Sequence, residues 1–236
     1  MRGLWVRGGP GVVRRAGGHQ EVGQVVDEPY VARDLTLDDK GRGLVRAGHK
    51  RGGNAALMRK AAMCGVLARM GGYVPAERAV IGAVDRVFTR IGAADDLAGG
   101  RSTFMVEMLE AANILNNATP HSLVLLDEIG RGTSTYDGIS LAWSVVEHVH
   151  DKIKCRTFFA THYHELTDLS QSLERVRNLN VAVREWEDEV RFLHKIVDGA
   201  ADKSYGIHVA RLAGIPAEII ERAKSILANL EAAVSA

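Results

Sequence analysis

Ser122-Leu-Val-Leu-Leu-Asp127, continued by Glu128-Ile-Gly-Arg-Gly-Thr-Ser-Thr-Tyr-Asp-Gly138, is the stretch from which the rest of the chain is read. Four consecutive apolar residues leave no polar face, the pattern of a central parallel strand covered on both sides rather than of a half-exposed antiparallel one. The run ends in two carboxylates and a glycine-rich turn. A carboxylate at the end of a buried strand can hold Mg²⁺, and a second one beside it can orient water, which is the pairing nucleotide hydrolysis needs. Taken alone, Asp127 and Glu128 also fit a strand-terminal acid pair that only solvates a loop.

Beyond this strand, a helical stretch from Gly138 to about His150 leads into a second apolar run, Arg156-Thr-Phe-Phe-Ala-Thr161. A strand, helix, strand unit of that length predicts two strands in one sheet. Upstream, Ser102 or Thr103 can cap a helix running to about Asn117, because Phe104, Met108, Ala112 and Leu115 recur at helical spacing. Val176 to Val183 and Val190 to Ile196, joined through Glu185-Trp-Glu-Asp-Glu189, predict a hairpin. From Gly43 onward, apolar runs alternate with helical patterns, the appearance of an α/β domain.

Near the C-terminus, a helix through Val209 and Leu212 meets Gly214-Ile-Pro216, and a second amphipathic helix bears Ile219, Ile220, Ala223, Ile226 and Leu227. Glycine ends the first helix and proline starts the second, giving a helix-turn-helix shape. The second helix offers few exposed Arg, Asn or Gln to read bases, so protein contacts are the expectation.

Bulk properties narrow the class. With 236 residues, 46% of them hydrophobic, the chain can build one sizeable core with an appendage. It contains no run of 18 apolar residues and no secretory leader pattern at Met1-Arg-Gly-Leu-Trp, so a cytoplasmic protein with no membrane span is expected. Cys64 and Cys155 are the only cysteines, and neither has a second at metal-ligand spacing, so both are read as reduced and structural. The net charge of +1 does not suggest a strongly basic nucleic-acid module, although residues 1 to 60 carry 12 Lys/Arg against 6 Asp/Glu. That bias fits either a polyanion partner or a solvated basic surface. Residues 1–24, rich in Gly and Arg, show no sustained period and are read as a poorly ordered lead-in.

The string Leu125 to Gly138 resembles the Walker B strand and following loop of the MutS family of DNA mismatch-repair proteins. The resemblance extends over Asp95-Asp-Leu97, Gly100-Arg-Ser-Thr-Phe-Met-Val-Glu-Met108, Phe159-Ala-Thr-His-Tyr-His-Glu-Leu166 and Asp202-Lys-Ser-Tyr-Gly-Ile-His208, and covers roughly Val25 to Leu227. It implies an α/β P-loop (ABC-like) nucleotide-binding domain over residues 25–200 and a helical dimerisation element, the helix-turn-helix, over 201–236. The implied cofactors are ATP and Mg²⁺. The implied partners are a second copy or a MutS-like subunit, other mismatch-repair proteins and, in the context of a full-length protein, mismatched double-stranded DNA.

Carried over by position, the resemblance gives Asp127 to Mg²⁺, Glu128 to the attacking water and His162 to the γ-phosphate. Ser102, at a helix N-terminus that favours anions, would reach the nucleotide of the opposite subunit, a role compatible with an ordinary N-cap. Tyr30 and His194 would sandwich the adenine. His162, His164 and Glu165 could instead suggest a metal cluster, but no further ligand is evident.

One segment departs from the family pattern. A P-loop wraps phosphates with glycine N–H groups, a Lys and a Ser or Thr hydroxyl. The aligned stretch is Gly48-His-Lys-Arg-Gly-Gly-Asn-Ala-Ala56: Gly48, Gly52 and Gly53 remain, but Asn54 and Ala55 replace the Lys and Ser. Lys50 and Arg51 supply positive charge from other positions of the same loop. Just upstream, Arg46 falls within Arg42-Gly-Leu-Val-Arg-Ala47, where a buried strand is expected. Two functions therefore follow: an ATPase module coupling nucleotide state to mismatched DNA, or a catalytically silent dimerisation module with the same fold.

Overall fold

The structure is a computed structural model, and it describes residues 4–7, 12–17, 33–38, 41–47, 54–76, 78–91, 102–186, 189–199 and 205–234, some of them as backbone only. Its centre is a six-stranded sheet built on the apolar run Leu123–Asp127. Strand β7 (Leu123–Asp127) lies between β6 (Val87–Arg90) and β8 (Arg156–Thr161), parallel to both. On the far side of β8, β4 (Gly43–Ala47) runs parallel to it and to β9 (Val176–Trp186). The antiparallel β10 (Glu189–Asp198) closes that edge, giving the order β10-β9-β4-β8-β7-β6. The expected hairpin is thus present.

All five residues of β7 and all six of β8 are buried, so both sheet faces are covered, as an almost wholly parallel sheet requires. Alternation divides them between two cores. Leu123, Leu125 and Phe158 pack with Leu57, Met58, Ala61 and Cys64 of helix α1 (Asn54–Arg69). Val124, Leu126 and Phe159 pack with Ala111 and Ile114 of α2 (Thr103–Asn117) and Ala142 and Val146 of α3 (Thr135–His148). Each fully buried side chain of this kind contributes roughly 1.5–3 kcal/mol, which fixes the strand ends that carry the acids.

Ser102 does cap α2, accepting the Met105 N–H at 3.2 Å. Helix α3 begins three residues earlier than the expected Gly138, because Ser134 caps it and donates its hydroxyl to Asp137 at 2.8 Å. A π-helical turn, Val149–Ile153, carries it on to Lys154, whose φ of 61° reverses the chain into β8. A 3₁₀ turn (His164–Asp168) and the short α4 (Leu169–Ser172) lead to β9.

A second sheet orders as β1-β5-β2-β3, from β1 (Leu4–Arg7), β2 (Val12–Gly17), β3 (Arg33–Leu37) and β5 (Arg78–Ile81). Two of these strands fall within residues 1–24. Both pair with Arg78–Ile81, a contact more than sixty positions away that local periodicity does not carry. In β4, Arg46 sits opposite Ala160 of β8; its side chain lies outside the described residues.

Helices α5 (Gly206–Leu212) and α6 (Ala217–Val234) are joined through Gly214, whose φ is 88°. Ile220 is buried, whereas Leu212, Ile219, Ile226 and Leu230 are exposed. Among the described residues no helix is long and apolar enough to cross a membrane.

Candidate functional site

The C-terminal ends of β7 and β8 lie side by side, and the site is built there. Asp127, the last residue of β7, is only 6% exposed, and its Cα is in register with Ala160 of β8. Glu128 then donates its N–H to the Ala160 carbonyl at 2.8 Å, adding one more bond to the ladder. Its φ is 55°, a left-handed conformation that costs a non-glycine residue about 1–2 kcal/mol and persists only where the surroundings impose it. The reversal turns Glu128 out of the strand direction, and its Oε2 accepts a bond from Arg131 Nη1 at 2.7 Å. Because the Arg131 side chain is 60% exposed, this pair orients more than it stabilises.

The turn that follows is held from three sides. Gly130 donates its N–H to Glu107 Oε1 of α2 at 2.6 Å and accepts the Tyr163 hydroxyl at 2.9 Å, both bonds buried. Its φ of 90° and its closeness to Gly138, whose carbonyl oxygen would lie 2.5 Å from an added Cβ, leave room for glycine alone. A Cβ on Gly132 would come within 2.9 Å of the Phe104 Cβ, so the turn also lies against the first turn of α2. Glu107 is in turn ion-paired with Arg90 of β6 at 3.6 Å, and Arg90 reaches Glu110 at 2.8 Å. Burial pushes the Tyr163 pKa up, and the Glu107 and Glu165 carboxylates add to the shift, so the phenol keeps the proton it donates.

Beyond β8, buried Thr161 accepts the Tyr163 N–H at 3.0 Å, which places His162 between them at the surface. The His162 ring lies 4.0 Å from that of Tyr163, tilted by 40°. Partial desolvation lowers the His162 pKa; Glu128 acts against it, Arg131 adds to it, and Glu165 and His164 oppose one another more weakly. Desolvation thus outweighs the Glu128 carboxylate at this imidazole.

Asp127, Glu128 and His162 thus gather at one edge of the sheet. Ser102 lies at the exposed start of α2, whose Phe104 and Glu107 reach the Gly130–Gly132 segment. Tyr30, Gly48, Gly52 and Gly53 lie outside the described residues, as do the side chains of Asn54, Ala55 and His194. Asn54 and Ala55 begin α1, and His194 lies within β10. Among the described residues no three His, Cys, Asp or Glu side chains converge as a metal cage. Glu107, Tyr163 and Arg90 were not singled out from the sequence; the available signal was an acid at position 107 in step with the apolar stripe of α2.

A mostly parallel sheet with helices on both faces, carrying paired carboxylates at a strand end followed by a glycine turn, defines a mixed α/β protein. The chain belongs to the family of MutS domain V, whose family model matches residues 44–231. It is 56% identical over 212 residues to the DNA mismatch repair protein MutS of Thermodesulfovibrio yellowstonii, an overlap covering 89% of this chain and 25% of that protein. It is 57% identical over 208 residues to the DNA mismatch repair protein MutS of Syntrophobacter fumaroxidans, covering 87% of this chain and 23% of that protein. The chain therefore spans about a quarter of the length of these relatives.

Proposed function

We propose that this chain is the ATP-binding and ATP-hydrolysing module of a MutS-type DNA mismatch-repair protein. The observation that carries the reading is the strand-end pair: Asp127 held at the end of a wholly buried strand, with Glu128 turned out of it and exposed His162 just beyond the end of the neighbouring strand. Asp127 offers the hard oxygen donor that suits Mg²⁺. Mg²⁺ at nucleotide sites is commonly held by one or two carboxylates together with water and substrate phosphates, a role one carboxylate at a strand end can fill. In this reading Mg²⁺ supplies charge neutralisation at the transferred phosphate. Glu128 orients a water for attack, and His162 donates a hydrogen bond towards the terminal phosphate. Ser102, at the N-terminal end of α2, faces the nucleotide of a second subunit, and Tyr30 and His194 flank the base.

The proposed boundaries are residues 25–200 for the nucleotide domain and 201–236 for a helical dimerisation element. The exposed Leu212, Ile219, Ile226 and Leu230 support contacts between subunits. Work on mismatched DNA and with other repair proteins, in the cytoplasm, would belong to the longer protein of which relatives of this kind are examples.

Replacing Glu128 by Gln should lower ATP turnover by about 100-fold or more while leaving nucleotide binding intact. Turnover that survives the substitution would remove Glu128 from the role.

A second reading, a silent dimerisation module, is favoured by Asn54 and Ala55, which take the place of the Lys and Ser of a P-loop. A charge-assisted hydrogen bond contributes about 1.5–3 kcal/mol, so their absence weakens nucleotide binding. Asn54→Lys with Ala55→Ser should then raise ATP affinity by about tenfold or more. An unchanged affinity would locate the weakness elsewhere, with Arg46 the next candidate.

A further inference from the structure

Gly130 is gripped on both its backbone polar atoms, in the two peptide groups that flank its Cα, by side chains from different elements. Its N–H meets the Glu107 carboxylate at 2.6 Å, and its carbonyl meets the Tyr163 hydroxyl at 2.9 Å. Both side chains are buried, at 6% and 5% exposure, so neither bond is in competition with solvent. Gly130 lies two residues beyond Glu128, and the intervening Ile129 is fully buried, leaving little slack between the grip and the carboxylate.

The same helix that supplies Glu107 begins at the Ser102 cap and presses Phe104 against Gly132. Arg90, paired with both Glu107 and Glu110, ties that helix to β6 of the central sheet. On the opposite side, the Tyr163 ring packs beside His162, and its hydroxyl fills the space against Gly138 at the start of α3. A displacement of α2 along its axis therefore pulls on Gly130 through a short, charge-assisted bond, and the turn bearing Glu128 has to follow.

We infer that Glu107 and Tyr163 are positioning residues for Glu128: by holding the two peptide groups that flank the Gly130 Cα they set the carboxylate's place and link it to movement of the Ser102 helix. The inference rests on the ATPase reading for its functional meaning, but the grip itself does not depend on it. A nucleotide or a second subunit that shifts the N-terminal end of α2 would alter hydrolysis through Glu107 without touching Glu128. Neither Glu107 nor Tyr163 contacts the reacting atoms in this account.

The test compares the unaltered chain with Tyr163→Phe, Glu107→Gln, Glu128→Gln and the two double variants containing Glu128→Gln. Steady-state hydrolysis of ATP with Mg²⁺ and nucleotide-free amide exchange across residues 128–132 are both measured. Tyr163→Phe and Glu107→Gln should each lower kcat by about tenfold or more. KM should stay within about twofold, and neither change should further lower the residual rate of Glu128→Gln. Exchange at the Gly130 amide should rise while the β7 amides stay protected, a local signature that general destabilisation does not give.

A rise in KM with kcat preserved, or losses that add to that of Glu128→Gln, would overturn the inference. If the unaltered chain shows no turnover, the hydrolytic reading fails by itself and exchange decides. Selective loosening at Gly130 then supports the grip, and unchanged or uniformly increased exchange overturns it.

Discussion

Tyr163 donates its hydroxyl proton to the carbonyl oxygen of Gly130 across 2.9 Å, joining the turn after β8 to the turn after β7. The bond spans 33 positions of sequence and fixes the two strand ends that carry His162 and Glu128 relative to each other. Space around it is as restrictive as the bond itself, since Gly138 packs directly against the same hydroxyl.

Gly130→Ala should therefore be strongly destabilising. It combines a left-handed φ of 90° with a Cβ only 2.5 Å from the Gly138 carbonyl oxygen, whereas Gly71, with φ 77°, has nothing within 4 Å. Urea unfolding should show a loss of about 2–4 kcal/mol for Gly130→Ala and about 1 kcal/mol for Gly71→Ala. Equal losses at the two sites would mean that the contact with Gly138 carries no cost.

The environment of His162 makes stability depend on pH. Its folded pKa lies below the ordinary 6.5, chiefly through desolvation, so the folded chain resists a proton that the unfolded chain accepts. The contribution is fully present above that value and is lost as the pH falls below it towards the folded pKa. The melting temperature of the unaltered chain should therefore drop more between about pH 7.5 and about pH 5.5 than that of His162→Asn. The same acid sensitivity in both would contradict the shift.

Sequence legibility followed the range of the interactions involved. The strand at 123–127 could be read because both faces are apolar, that at 156–161 because Phe158, Phe159 and Ala160 form an apolar run after a helical stretch, and the Ser102 cap because its partner, Met105, is three residues away. Helix α3 starts three residues before the expected Gly138 because the Ser134 to Asp137 cap lies inside a glycine-rich string that reads as loop. Strands β1 and β2 could not be read, since their pattern is completed by residues 78–81. Asp127, Glu128 and His162 were legible as chemistry-bearing types at strand ends. Glu107 and Tyr163 were not, because the groups they recognise are a backbone N–H and a backbone carbonyl 23 and 33 positions away, and backbone groups leave no mark in the sequence.

The exposed apolar residues of the last two helices make a prediction about assembly. Ile226 and Leu230, 43% and 60% exposed, lie four apart on one face of α6. Replacing both by Asp should shift the chain from dimer to monomer in sedimentation velocity, with helicity retained, because a charge in an apolar contact is costly. A dimer that survives both substitutions would place the contact elsewhere, and an unaltered chain that sediments as a monomer would remove the dimerisation role.

The central claim, that this chain binds nucleotide through the site at Asp127, is tested most directly by calorimetric titration of the purified chain with ATP in the presence of Mg²⁺, alongside Asp127→Asn. The account predicts saturable binding by the unaltered chain that Asp127→Asn weakens when Mg²⁺ is present and leaves nearly unchanged when the metal is chelated. Absence of binding by the unaltered chain, or binding indifferent to Asp127 with Mg²⁺ present, would contradict it.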